Sequence, residues 1–185
     1  RGIAEYDLVV LLHSTNADTL EDLARCRVLL RSRRGKLLAF VGNEVNLPVV
    51  SMRGKIDLLR DVGADFIGTQ LPLEAGRWLY EECAGSRVVA LPHALNPDAF
   101  RPLTPQTERR IDIGVRSHRY LPFLGDDERN RMLDYFGTTR FDPPLAVDID
   151  TVTRLDRAGW AGFLDRCRGT ASTEAGSYYL SRDDR

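Results

Sequence analysis

Residues 87–102 read RVVALPHALNPDAFRP, and the fold turns on how they are parsed. Val88, Val89, Ala90 and Leu91 make an unbroken apolar run, the pattern of a strand buried in a parallel sheet. Pro92 ends it, because proline has no N–H to give to a ladder. The chain then turns through Ala94, Leu95 and Asn96, with Phe100 as an anchor, and passes Pro97, Pro102 and Pro105 in polar surroundings. A new strand follows at 111–115, IDIGV. The segment closes one series of strand–helix units and opens another. It predicts a hinge between two lobes, 1–105 and 106–185.

Upstream of the hinge lie three more apolar runs, 7–12 (DLVVLL), 37–41 (LLAFV) and 64–68 (ADFIG), each short enough for a strand. Helical stretches separate them. Asp18 or Thr19 can cap a helix that ends near Arg33, with Leu20, Leu23, Ala24, Val28 and Leu29 on one face. Arg31, Arg33, Arg34 and Lys36 gather at its end, where cations meet the negative helix terminus. Pro48 and Ser51 lead into a helix over 52–62, stopped by Gly63, and 73–83 gives a third. Four strands alternating with three helices predict a parallel, doubly wound layer. Its crossovers should be right-handed, with ligands beyond the C-terminal strand ends. Those ends carry His13, Ser14, Thr15 and Asn16, then Gly42, Asn43 and Glu44, then Thr69 and Gln70, then Pro92 and His93. His13 and His93 are therefore the candidates for catalysis or ligand binding in this half. The competing reading is a pair of hydrogen-bonded structural histidines.

Downstream, Ile111 opens a strand that ends in a basic loop, Arg116, Ser117, His118, Arg119 and Tyr120. Arg116 and Arg119 suit a diphosphate, since a planar guanidinium makes paired contacts with phosphate oxygens. Residues 125–136 (GDDERNRMLDYF) read as a helix with Met132, Leu133 and Phe136 inward. Pro143 and Pro144 break the chain, and 145–147 is a short strand candidate. Asp156 caps a helix to about Cys167, with Trp160, Phe163 and Leu164 on its face, and Gly169 stops it.

The 185 residues carry 26 basic and 27 acidic side chains, so no global field points to nucleic acid or an anionic membrane. No apolar run approaches a membrane span, and no signal peptide is visible. The three cysteines, Cys26, Cys83 and Cys167, are far apart and outside any C-x-x-C pairing. They read as small buried residues on helices in a reducing, cytoplasmic compartment. Neither G-x-G-x-x-G nor a P-loop nor a G-x-S-x-G elbow occurs, which argues against dinucleotide enzymes, P-loop NTPases and α/β-hydrolases. The chain opens on Arg1 and closes on SRDDR, as a piece of a longer protein would, with a second lobe cut short.

Three segments carry a resemblance. Pro92–His93–Ala94–Leu95–Asn96 through Phe100 and Pro102 resembles the crossover of retaining, family-4-like GT-B glycosyltransferases, with Ala94 and Asn96 where that pattern usually has Gly and Asp. DIGVRSHRY, at 112–120, resembles the basic loop at the first strand of their second lobe, without its usual lysine. RGTASTEAGSYYL, at 168–180, resembles their acidic loop. Glu174 matches its first glutamate, but Ser181 stands where a second is usual. The run from Asp112 to Asp184 also resembles a subgroup with DIG-R, Y, G-ERN and EAG-YYL elements. The resemblance implies an α/β, GT-B-like fold of two Rossmann-like lobes. It implies transfer of a sugar from a nucleotide sugar to a glycan, lipid or small-molecule acceptor hydroxyl. No metal or further cofactor is implied, and the setting is cytoplasmic or peripheral to a membrane. Arg116, Arg119, Glu174, Gly176 and Ser177 would hold the donor. His13 and His93 would lie nearest the acceptor.

Two other classes compete. One is a non-catalytic α/β binding module. The other is metal-dependent transfer or phosphatase chemistry at Asp148 and Asp150, a D-x-D pair that could hold a divalent cation. That reading needs a strong strand just before Asp148, and only 145–147 is available.

Overall fold

The computed structural model describes residues 2–124, 127–173 and 179–183. The chain divides into two compact units, Arg1–His93 with Gly176–Arg185, and Ala94–Ala175. The expected boundary between 105 and 106 thus falls inside the second unit, and the end of the chain groups with the first. No helix among the described residues is long and apolar enough to cross a membrane.

Unit 1 is a parallel sheet of β1 (Leu8–Leu11), β2 (Lys36–Phe40), β3 (Phe66–Thr69) and β4 (Arg87–Ala90), hydrogen-bonded in that order. Between successive strands run α1 (Glu21–Arg31), α2 (Met52–Asp61) and α3 (Leu73–Leu79). The Ser51 hydroxyl caps α2 by accepting from the Gly54 N–H at 2.7 Å. Met52, Ile56 and Leu59 then recur at helical spacing and are wholly buried. With Leu23, Leu30, Leu79 and Tyr80 they pack on Leu37, Ala39, Val41 and Ile67 of the sheet.

The layer is parallel as expected, but it is not doubly wound. Every crossover steps one strand in the same direction, so right-handed connections put all three helices on one face. The other face stays open at its edge: Leu8 is 51% and Val10 45% exposed. An apolar run signals a strand without revealing whether one face or both are covered.

Unit 2 holds β5 (Ile111–Arg116), α4 (Glu128–Thr138), β6 (Val147–Asp150), α5 (Arg157–Arg166) and β7 (Cys167–Thr170). Its parallel sheet has the order β6-β5-β7. Here the crossovers do reverse direction, with α4 beside β6 and α5 against β5 and β7. Val115, Leu133, Phe163 and Cys167 form its buried centre. Gly114 lets α5 come close, since a Cβ there would lie 2.4 Å from Cys167 Sγ and 2.5 Å from Phe163 Cζ.

Three expectations are corrected. The strand expected at 145–147 is β6, which starts at Val147 and takes in Asp148 and Asp150. The alternation Val147, Asp148, Ile149, Asp150 is a period-two pattern, and it outweighs the preceding apolar run. Gly169 does not stop a helix but lies inside β7, which follows α5 without a loop. Cys167 accordingly sits in a strand, and Cys26 is exposed on α1 rather than buried.

Candidate functional site

Unit 1 gathers polar side chains where its strands end. His13, just beyond β1, meets His93, with ring centroids 5.3 Å apart and planes at 79°. The strands they follow are opposite edges of the sheet, so the segment after β4 must cross back over it. The Leu91 N–H donates to Thr69 O at 2.8 Å. The Leu91 side chain fills the space above Gly68, where a Cβ would lie 2.8 Å from Leu91 Cδ1. Both histidines remain exposed. The structure thus brings together the two catalytic candidates of this half.

Beneath them is a buried polar network that sequence reasoning left without a role. Asn16 is fully buried, accepts from the Gly42 N–H at 3.1 Å and donates to Phe40 O at 2.9 Å. At its exposed rim, Asn43 adopts a left-handed φ of 46° and donates to Asp18 Oδ1 at 2.8 Å. Glu44 accepts from Thr69 Oγ1 at 2.7 Å, the Gln70 N–H at 3.0 Å and the Tyr80 hydroxyl at 2.9 Å. Lys55, also fully buried, donates through Nζ to Gly42 O and, at 2.9 Å, to Asn43 O. Burial pushes its pKa down to about 8, against the pull of Glu44 and Asp18. Burial, with Glu44 beside it, holds the Tyr80 phenol well above its ordinary value. Lys55 could have been found: it falls on the stripe of Met52, Ile56 and Leu59, where a lysine on an ordinary surface helix has no place.

In unit 2 the switch in crossover direction lies between β5 and β7. Ligands of open α/β sheets bind outside the carboxyl ends of strands at such a point. The chain beyond β5 is the basic loop. The chain beyond β7 is Ala171, Ser172 and Thr173, which belong to the 168–180 segment. Glu174, Gly176 and Ser177 lie outside the described residues.

The two expected phosphate ligands have internal partners. Arg116 donates to Asp148 Oδ2 at 2.8 Å and to Asp148 O at 3.1 Å, and its guanidinium stacks 4.1 Å from the Phe163 centroid. Its side chain is only 11% exposed. Arg119 pairs with Asp134 of α4 near the surface, and that hydrogen bond raises its pKa. Asp148 is therefore taken up by Arg116. Asp150 receives the Val152 and Thr153 N–H groups at 2.8 and 2.9 Å, and hydrogen bonds from the Thr153 side chain and backbone hold its carboxyl pKa at about 2. Among the described residues no three metal-ligating side chains converge.

The first turn of α4 supplies residues not singled out from sequence. Asn130 accepts from the Tyr120 N–H at 2.9 Å and donates to Tyr120 O at 3.0 Å, clamping the basic loop. The Arg129 guanidinium stands 3.7 Å from the Tyr120 ring centroid, with Nε 3.4 Å from Thr173 Oγ1. Arg129 thus spans the chain beyond β5 and the chain beyond β7. An Arg-Asn pair opening a helix just after a basic loop was the available signal. No family model, curated protein or solved structure matches the chain.

Proposed function

We propose that the protein is a glycosyltransferase of GT-B type, with unit 2 holding the nucleoside diphosphate of a nucleotide-sugar donor. The observation that carries this reading is the β6-β5-β7 order. It makes neighbours of the two strands whose following segments bear the resemblance to donor loops. Arg129, between those segments, supplies a cation for the diphosphate alongside Arg119. Such a site would stabilise the charge that develops on the leaving diphosphate. In unit 1, the His13 and His93 imidazoles are the candidate groups for handling an acceptor hydroxyl.

Calorimetry with a panel of nucleoside diphosphates and their sugars, with and without EDTA, tests this. Binding that ignores the chelator is expected, weakened about tenfold or more by Arg129→Ala and by Glu174→Ala. Binding abolished by EDTA would instead move the case to Asp148 and Asp150. A second reading, a non-catalytic α/β binding module, draws on the internal ion pairs of Arg116 and Arg119. Absence of binding across the panel would favour it.

A further inference from the structure

β1 is an edge strand of unit 1, and among the described residues it pairs with β2 alone. Asp7 O accepts from the Lys36 N–H. Backbone groups alternate in direction along a strand, so those of Leu8 and Val10 turn outward along a free edge. Residues 8–12 read LVVLL, with no charge or proline to deter a second strand. Val9 and Leu11 pack against the core beneath the helices, whereas Leu8, Val10 and Leu12 alternate with them and are exposed on the open face.

Helix α1 is open on the same side. Leu23 and Leu30 hold it to the core, and Arg27 and Arg31 reach Asp61 of α2. At about 100° per residue, Asp22, Cys26 and Leu29 then occupy the opposite flank, toward the free edge of β1. All three are exposed.

This edge is complementary to itself. Antiparallel pairing of two β1 strands requires a two-fold axis normal to the sheet, which keeps the helices of both copies on one face. As the crossover from β1 to β2, α1 lies over the gap between them, inside the edge by about half of a strand spacing of about 4.8 Å. The two α1 helices then run antiparallel about 10 Å apart, the ordinary distance of packed helices. Pairing centred on Val10 sets Val10 against its own copy and Leu8 against Leu12, an unbroken apolar strip.

The charges match in the same arrangement. Gly35 rests on the backbone of Tyr6 and Asp7, so exposed Arg34 stands with Asp7 where β1 begins. Asp22, in the first turn of α1, stands with His13 where β1 ends. Neither Arg34 nor Asp22 has an ion pair among the described residues. The two-fold axis brings the beginning of each β1 to the end of the other. Arg34 then lies on the side of the partner's Asp22, and Asp7 comes opposite the partner's His13.

We propose that unit 1 binds a second copy of this chain, edge to edge through β1 with α1 packed on α1, in a closed two-fold dimer. Two four-stranded sheets become one continuous sheet. The proposal is independent of the donor site in unit 2.

The test is sedimentation equilibrium of the full chain across micromolar concentrations. A monomer–dimer equilibrium is expected. Val10→Lys places like charges opposite each other at the axis and should weaken the dimer about a hundredfold or more. Leu29→Glu, on the helix flank, should weaken it about tenfold or more. Both variants should keep the wild-type circular dichroism of the monomer, because both side chains are exposed. Cys26 lies midway along α1, so a bismaleimide longer than the helix spacing should join two copies, and Cys26→Ser should abolish that link. A monomer at every concentration overturns the proposal, as does open-ended growth beyond the dimer. A dimer of wild-type strength in both Val10→Lys and Leu29→Glu overturns it too, and so does a wild-type dimer that cannot be linked through Cys26.

Discussion

Lys55 makes the residue scale measurable. Its ammonium is buried among the carbonyls of Gly42 and Asn43, and its pKa is lowered from 10.5 to about 8. A lowered lysine means that, between those values, the unfolded chain binds a proton that the folded chain has lost. Folding stability therefore rises with pH above about 8, by at most about 3 kcal/mol in total. Tyr80 adds to this near and above its ordinary value of 10.0 with the opposite sign, because the folded state keeps its proton there while the unfolded state gives it up. Burial also raises the Cys167 thiol above 9.0 and takes the Cys83 thiol to about 11, and both act with this same opposite sign from about pH 9 upward. The clean window is thus pH 8 to 9. Urea unfolding across that window should show a rising stability in the wild type and a flat one in Lys55→Met. A flat wild-type profile would contradict the placement of Lys55. In the sequence, the stripe of Met52, Ile56 and Leu59 marks Lys55 as buried, but nothing there names the carbonyls of Gly42 and Asn43 that hold it.

At the scale of elements, the contact between α5 and β5 depends on Gly114. A methyl group there would meet Phe163 and Cys167 well inside contact distance. Gly114→Ala should therefore destabilise unit 2 by about 2–3 kcal/mol in denaturant unfolding. Adding Phe163→Leu should recover part of that loss, giving a non-additive double-mutant cycle. The same scale shows what sequence can reveal. The strands of unit 1 are legible because each is a largely apolar run ended by a turn or cap, and β5 because Ile111, Ile113 and Val115 alternate directly after a proline-punctuated stretch. β6 is displaced from its expected position because its apolar residues alternate with Asp148 and Asp150. β7 escapes sequence reasoning because Cys-Arg-Gly-Thr carries neither strand periodicity nor a breaker before it. Strand order is not legible at all: sequential order in unit 1 and reversed order in unit 2 arise from similar alternations of strand and helix.

The whole molecule is a chain that leaves unit 1 after His93 and rejoins it near its end. Arg182 stacks 4.3 Å from the Trp78 centroid and pairs with Glu81 at 2.8 Å, and Asn46 donates to Asp183 O at 2.7 Å. Arg182→Ala should cost about 1 kcal/mol and remove hydrogen-exchange protection from 179–183, leaving the amides of α4 and α5 unchanged. At this scale the candidate donor site is half legible. Its segments can be named from sequence, but that they follow neighbouring strands depends on the sheet order. The return of the tail has a mechanical consequence. A pull applied between residues 2 and 183 is carried through unit 1 and the grip of Trp78, Glu81 and Asn46 on the tail. Unit 2 is a slack loop outside that path, and it feels tension only once the grip on Arg182 and Asp183 has been torn open.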